Sequence, residues 1–238
     1  MRPTELTSLL SSTIPAGIPV LVVGAPGVGK SQIVEQAATH VGADMIVSHP
    51  AVSDPTDAKG LPWVGPDQIS ARFLPFGDLA QAVKATKPTV WFLDDLGQAP
   101  ASVQASFMQL LLARRCNEHM LPSCVTFVAA TNRRTDRANV GGMLEPVKSR
   151  FGAIVELEPN LDDWCGWALT HCINPTIIAF LRFRPELLHK FSPTADLTNS
   201  PIPRTWAHAS RLMGLSLSPA IRRSAVAGAV GEGATVEF

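Results

Sequence analysis

The stretch LVVGAPGVGKS, residues 21–31, restricts the fold more than any other part of the chain. A β-branched apolar run that stops at a glycine reads as a buried strand, and the residues after Lys30 read as the opening of a helix. A glycine-rich turn between the two commits the surrounding chain to an α/β layout. Gly24, Ala25, Pro26, Gly27, Val28, Gly29, Lys30 and Ser31 satisfy the pattern G-x-x-x-x-G-K-[ST] at every fixed position. The glycines allow successive backbone N–H groups to turn inward, and the helix N-terminus adds partial positive charge, so the loop is built to hold phosphate. In such a loop Lys30 would reach the β- and γ-phosphates of a nucleotide and the Ser31 hydroxyl would ligate Mg²⁺. Gln32 completes the expected nucleotide-contacting set. A glycine-rich turn without a ligand is the plain alternative, and the strand-then-helix context speaks against it.

Around this loop, apolar runs alternate with amphipathic stretches, the arrangement of a parallel sheet covered on both faces. The expected strands are Val20 to Val23, Met45 to Ser48, Thr89 to Leu93, Val125 to Ala130 and Ala153 to Leu157. Gly29 to about Val41 is an expected helix with Ile33, Val34 and Ala37 on one side. Pro100 suits the first position of another, along which Val103, Phe107, Leu110 and Leu111 recur at helical spacing. Before Val20 the chain is a polar Ser/Thr-rich segment broken by Pro15 and Pro19. From Asn160 the pattern turns helical, with Asn160 or Asp162 as a cap and a Pro/Ser/Thr-rich loop over 191–203. The expected organisation is an α/β nucleotide-binding domain over 1–159, with a five-stranded parallel sheet between helices, and a small helical domain over 160–238.

The second chemical feature is VWFLDDLGQAP, residues 90–100, in which the expected buried strand Thr89 to Leu93 ends in two acids. A carboxylate at the end of a buried strand beside a phosphate loop is what a Mg²⁺ site needs, which assigns Asp94 to the metal. Asp95 would orient or polarise the attacking water. A pair of acids that only caps the next helix is the alternative.

Together these residues resemble the AAA+ ATPases, and within them the MoxR-like branch, which reads apolar strand, Asp-Glu, short linker, Ala-Pro, then a Gln-bearing helix. This chain has Asp94-Asp95 followed by LGQAPASVQASFMQLLL. The resemblance spans roughly Pro15 to the C-terminus, and it implies roles for three further residues. In VAATN, Asn132 matches the sensor-1 polar residue; in EPVKSRF, Arg150 matches the arginine finger that reaches a neighbouring subunit's nucleotide; in PRTW, Arg204 matches the sensor-2 arginine at the start of a lid helix. Each has a bland alternative: Asn132 as a strand-ending turn residue, Arg150 as a surface arginine with Arg133, Arg134 and Arg137 as competitors, and Arg204 as an ordinary first-turn residue, although first turns favour acids. The family's usual catalytic glutamate is an aspartate here, Asp95, which makes nucleotide binding a firmer expectation than fast turnover.

The resemblance further implies ATP and Mg²⁺, a homo-oligomeric ring of six subunits, and a remodelled protein partner, one with a von Willebrand A domain. It also implies a hairpin inserted within 54–77, where Trp63, Val64 and Phe73 stand either as partner contacts or as aromatics packed on the sheet. Two other classes share the phosphate loop: a nucleic-acid motor or loader, and a small-molecule kinase. Formal net charge is zero over 238 residues, against a main partner that is nucleic acid or an anionic membrane. The basic run near Arg182, Arg184, His189 and Lys190 is interrupted by Glu186 and reads as a solvated helix face. The guanine-reading Asn-Lys-x-Asp motif is absent. Cys116, Cys124, Cys165 and Cys172 have no zinc-ligand or CxxC spacing, and His171 beside Cys172 lacks further ligands, so no zinc is expected. The thiols read as reduced, and with no apolar leader or spanning run the chain is expected to be cytoplasmic.

Overall fold

The computed structural model describes residues 1–136, 142–194 and 196–238. In chain order its helices and strands are α1 (Pro3–Thr13), β1 (Val20–Val23), α2 (Lys30–His40), β2 (Asp44–Ser48), α3 (Pro55–Lys59), β3 (Leu61–Val64), β4 (Ala71–Leu74), α4 (Gly77–Val83), β5 (Thr89–Leu93), α5 (Ala101–Ala113), β6 (Arg115–Cys116), β7 (His119–Met120), β8 (Val125–Thr131), α6 (Glu145–Lys148), β9 (Ala153–Glu156), α7 (Leu161–Thr170), α8 (Pro175–Phe183), α9 (Pro203–Met213), α10 (Pro219–Val230) and α11 (Glu232–Glu237). They fall into two compact units. One comprises Glu5–Gly24 and Lys30–Glu156; the other comprises Met1–Thr4, Ala25–Gly29 and Leu157–Phe238.

The first unit is built on a five-stranded sheet in the order β2-β5-β8-β1-β9, every pair parallel. The β5 sequence TVWFL and the β8 sequence VTFVAAT are buried at every position, which is why they are near-continuous apolar runs with no alternation. Trp91 on β5 stacks on Phe127 of β8 at 5.3 Å and meets Phe107 of α5 edge-on at 6.1 Å. Its indole N–H donates to Ser48 Oγ at 2.8 Å, so this fully buried ring satisfies its polar atom as well as its area. The strand order sets β1, β8 and β5 side by side. Whatever follows them at their carboxyl ends converges, because all three run the same way.

Three local features differ from the sequence expectation. The polar segment before Val20 forms α1, whose Leu6 and Leu10 are fully buried four residues apart, with Thr13 one turn further on. Two leucines in a field of Ser and Thr make a stripe too narrow to stand out as a period. Pro100 lies just outside α5 as its N-cap, with extended ψ of 148°, and Ala101 takes the first helical position. Arg115–Cys116 and His119–Met120 form a small hairpin through a turn in which Asn117 adopts φ 51°. Asn is a residue that tolerates this conformation, but strands of two residues carry no readable alternation.

A second antiparallel hairpin, β3–β4, pairs Trp63 with Arg72 and Pro62 with Phe73. Its turn is tied by Asp67, whose carboxylate accepts from the Ile69 and Ser70 amides and the Ser70 hydroxyl. The two hairpins are stitched together: Glu118 accepts from the Phe73 amide at 2.9 Å, His119 Nε2 lies 2.6 Å from the Phe73 carbonyl, and Asn117 donates to the Lys59 carbonyl.

The second unit is helical. Asn160 caps α7 by accepting from the Asp163 amide, Asn174 caps α8 ahead of Pro175, and Pro203 and Pro219 sit at the first positions of α9 and α10. Trp206 of α9 is fully buried, donates to the Leu187 carbonyl at 2.8 Å, and packs against Phe180 and Phe238. The N-terminal residues join this unit through Asp163, which accepts from the Arg2 guanidinium and from the amide and hydroxyl of Thr4. The Arg2 guanidinium beside Asp163 holds this carboxyl below its ordinary range, against the opposing pull of burial.

Candidate active site

At the carboxyl end of β1 the chain enters the phosphate-loop motif. Gly24 closes the strand by donating to the Thr131 carbonyl of β8 at 3.1 Å. Gly27 and Gly29 take φ of 72° and 95°, a region L side chains rarely occupy, so the turn itself favours glycine at these two positions. The helix α2 then begins at Lys30.

Lys30 is a buried lysine, 7% exposed, whose ammonium donates to the Gly24 carbonyl at 2.8 Å and to Asn132 Oδ1 at 2.7 Å. Asn132 follows β8, and its Nδ2 faces Asp95 Oδ1 at 3.3 Å. The chemistry of the neighbours fixes this amide's orientation: an ammonium can only donate and an ionised carboxylate can only accept, so Asn132 must turn its oxygen to Lys30. Asp95 Oδ1 accepts a second bond, 2.8 Å, from Gln98 Nε2, and Gln98 Oε1 lies 3.3 Å from the Thr131 hydroxyl. Lys30, Asn132, Asp95, Gln98 and Thr131 thus form one hydrogen-bonded chain running across the ends of three adjacent strands.

Asp94 stands beside it. Its Oδ2 accepts from the Ser31 hydroxyl at 2.8 Å, its Oδ1 from the Asp95 amide at 3.1 Å, and its own amide is tied to the Ser48 carbonyl of β2 at 2.9 Å. Asp95 adopts φ 56°, ψ 35°, a left-handed conformation in which short Asp and Asn side chains are the least strained non-glycine residues. An aspartate at this position therefore suits the backbone it sits on. Gln98 and Thr131 are absent from the sequence expectation. Nothing in the local pattern distinguishes Gln98 from a linker residue, and Thr131 falls one residue beyond the expected strand Val125 to Ala130, which the structure extends to include it.

The remaining expected residues lie elsewhere. Arg150, in the turn after α6, donates from Nε to the Met108 carbonyl at 3.0 Å and from Nη1 to the Pro146 carbonyl. Arg133 is engaged by two carboxylates, Asp136 at 3.2 Å and Glu156 at 3.1 Å, which push its guanidinium further toward the charged form. Arg134 is exposed, and Arg137 lies outside the described residues. In the helical unit, the Arg204 amide donates to the Gly27 carbonyl at 3.2 Å, and its side chain is exposed. Ala25, Pro26 and Val28 belong to the same unit as Gly27. Gln32 is exposed on α2. On the β3–β4 hairpin Trp63 and Val64 are 65% and 56% exposed, so they are not packed on the sheet; Phe73 is partly buried.

The model of the AAA domain, dynein-related subfamily, matches residues 19–151. The chain belongs to this family. Its AAA domain takes in the phosphate loop, the Asp94-Asp95 pair, Asn132 and Arg150, and the family is one of nucleotide-binding ATPases. No curated protein is detectably similar in sequence. Among solved structures, the chain is similar to the Thermotoga maritima RuvB Holliday junction branch migration motor, with 16% identity and a TM-score of 0.54, over 98% of this chain and 65% of that one. It is also similar to NtrX from Brucella abortus in complex with ADP, with 15% identity and a TM-score of 0.57, over 91% of this chain and 50% of that one. At these identities the likeness is one of fold, and the chain spans less than two thirds of the length of either neighbour. No helix among the described residues is long and apolar enough to cross a membrane.

Proposed function

We propose that this AAA protein is a ring-forming, Mg²⁺-dependent ATPase of the MoxR-like branch that couples hydrolysis to remodelling or assembly of a protein partner. The observation that carries the ATPase reading is the hydrogen-bonded chain from Lys30 through Asn132 to Asp95, set beside the Ser31–Asp94 pair. Residues 24–32 hold the triphosphate, with Lys30 exchanging its bonds to Gly24 and Asn132 for phosphate oxygens. Asp95 accepts the proton of the attacking water, and Asn132 orients that water against the γ-phosphate.

The Ser31 hydroxyl and the Asp94 carboxylate present adjacent oxygens, a donor set that fits Mg²⁺ with water and phosphate completing its shell. When bound there, Mg²⁺ supplies charge neutralisation for the β- and γ-phosphates. Arg150 is the arginine offered to a neighbouring subunit. Among the described residues its partners are the neutral carbonyls of Met108 and Pro146, which do not cancel its charge, whereas Arg133 is already paired with Asp136 and Glu156. Arg204 acts as the nucleotide sensor of the helical lid, its amide anchored on Gly27.

A protein partner is favoured over nucleic acid by the surface the hairpins present. Trp63, Val64 and Ile69 are exposed at 65%, 56% and 93%, and Met120 on the neighbouring hairpin at 64%. Such a surface gains by burying apolar area, and it offers little to a phosphate backbone. Within the family resemblance the partner carries a von Willebrand A domain. The branch-migration motor's fold raises the second reading, a nucleic-acid motor, and zero net charge weighs against it.

The test is ATP turnover per subunit across a wide protein concentration range, with Lys30→Ala as the blank and single-stranded DNA added in a parallel salt series. Specific activity that climbs with concentration and is lost in Arg150→Ala supports the ring and the shared site. Activity independent of concentration overturns the ring in favour of a self-contained kinase-type site. Salt-sensitive stimulation by DNA overturns the protein-remodelling reading.

A further inference from the structure

We propose that Gln98 is a positioning residue that fixes which oxygen of Asp95 faces the attacking water; the inference rests on the role given to Asp95 above. Gln98 ends the short 3₁₀ turn Leu96–Gln98, and its amide donates to the Asp95 carbonyl at 3.0 Å. That closed turn folds its side chain back onto the residue that begins it. Its Nε2 then reaches Asp95 Oδ1 at 2.8 Å, the shorter of the two bonds to that oxygen.

The amide's orientation follows from its neighbours. A carboxylate can only accept, so Nε2 must face Asp95, which leaves Oε1 to the Thr131 hydroxyl. Thr131 is the buried last residue of β8, so the far end of Gln98 is referred to the central sheet. Both amide donors converge on Oδ1, and Oδ2 accepts no hydrogen bond from the described residues. Rotation of the carboxylate would break both bonds at once. Oδ2 is therefore the oxygen left to take the proton, held at a defined azimuth. An aspartate has less reach than a glutamate to find the water by its own flexibility, which makes this external reference matter more here.

Steady-state ATP hydrolysis by the full chain tests the inference. Gln98→Ala is expected to lower kcat by about tenfold to a hundredfold, with KM for ATP changed less than about twofold, since a misaimed base affects the transition state and not ground-state binding. Gln98→Glu keeps the size but sets a second carboxylate against Asp95. That replaces the donor at Asp95 Oδ1 by an acceptor, so kcat should fall by about tenfold or more while KM for ATP changes less than about twofold. In an Asp95→Asn background, adding Gln98→Ala should slow turnover no further, because the residue acts through Asp95.

An unchanged kcat in Gln98→Ala, an unchanged kcat in Gln98→Glu, or additive losses in the double variant would each overturn the inference. Should Gln98→Ala fail to fold, kcat and KM of the size-matched Gln98→Glu still decide it. Asp95→Asn separates the two levels. If that variant is as active as wild type, the role of Asp95 is overturned as well; if it is inactive while Gln98→Ala is fully active, only the Gln98 inference is lost.

Discussion

Replacing Gly27 by alanine tests how the phosphate loop is held, and its cost has two separable parts. The first is conformational: at φ 72° an alanine meets its own carbonyl, at about 1–2 kcal/mol. The second is steric. A Cβ built on Gly27 would lie 2.4 Å from Ile202 Cδ1 and 3.3 Å from Arg204 Cβ, and no real contact is that close to the first of these. Relief requires Ile202, itself 8% exposed, to leave its rotamer, an overpacking cost of about 1–3 kcal/mol. The sum is about 2–5 kcal/mol. Ile202→Ala alone should cost a comparable amount by losing buried area. Together the two changes should cost less than their sum by about 1–3 kcal/mol, since the smaller residue 202 removes the clash and leaves only the backbone term. Urea unfolding of the four chains, read with binding of a fluorescent ATP analogue, gives the cycle. Additivity within about 0.5 kcal/mol would refute the packing argument, and with it the idea that Ile202 and Arg204 support the loop.

Three other outcomes are expected. The Asp163 carboxyl is depressed by Arg2 and Thr4, so its folded-state pKa lies below its ordinary 3.8. Its contribution to stability is then complete above that value and is lost as pH falls through the folded-state pKa; Asp163→Asn should lower stability at neutral pH and flatten the acid slope of the unfolding midpoint, and a parallel slope in both chains would contradict this. Asp95→Glu should reduce turnover, because the donors at 2.8 and 3.3 Å and the left-handed backbone are matched to the shorter side chain; a higher kcat would mean the site accommodates the longer one. Trp63→Ser should leave basal ATP turnover within about twofold while weakening retention of the protein partner, and unaltered partner binding would remove the hairpin from the interface.

The chain's neighbours in space explain which parts of this were legible in advance. The motif around Lys30 and the acids after β5 are readable because their constraints are local: a strand end, positive-φ glycines, a helix start. The apolar runs of β5 and β8 are readable because both faces of those strands are covered. Helix α1 was not, since two buried leucines spaced by one turn make no visible period, and the hairpin at 115–120 is too short to alternate. Trp63 and Phe73 could not be sorted between core and surface from composition, because an aromatic side chain serves either place.

The sequence by itself therefore determined that a phosphate-loop motif follows a buried strand, that a carboxylate pair ends another, and that the class is α/β. Tertiary structure decided which groups touch. Strand order put β1, β8 and β5 together, so that residues 30, 95 and 132, far apart along the chain, share hydrogen bonds. Gln98 entered the site because a closed turn and the Thr131 hydroxyl aim it, and hydrogen bonds of that kind depend on distance and direction that no residue spacing encodes.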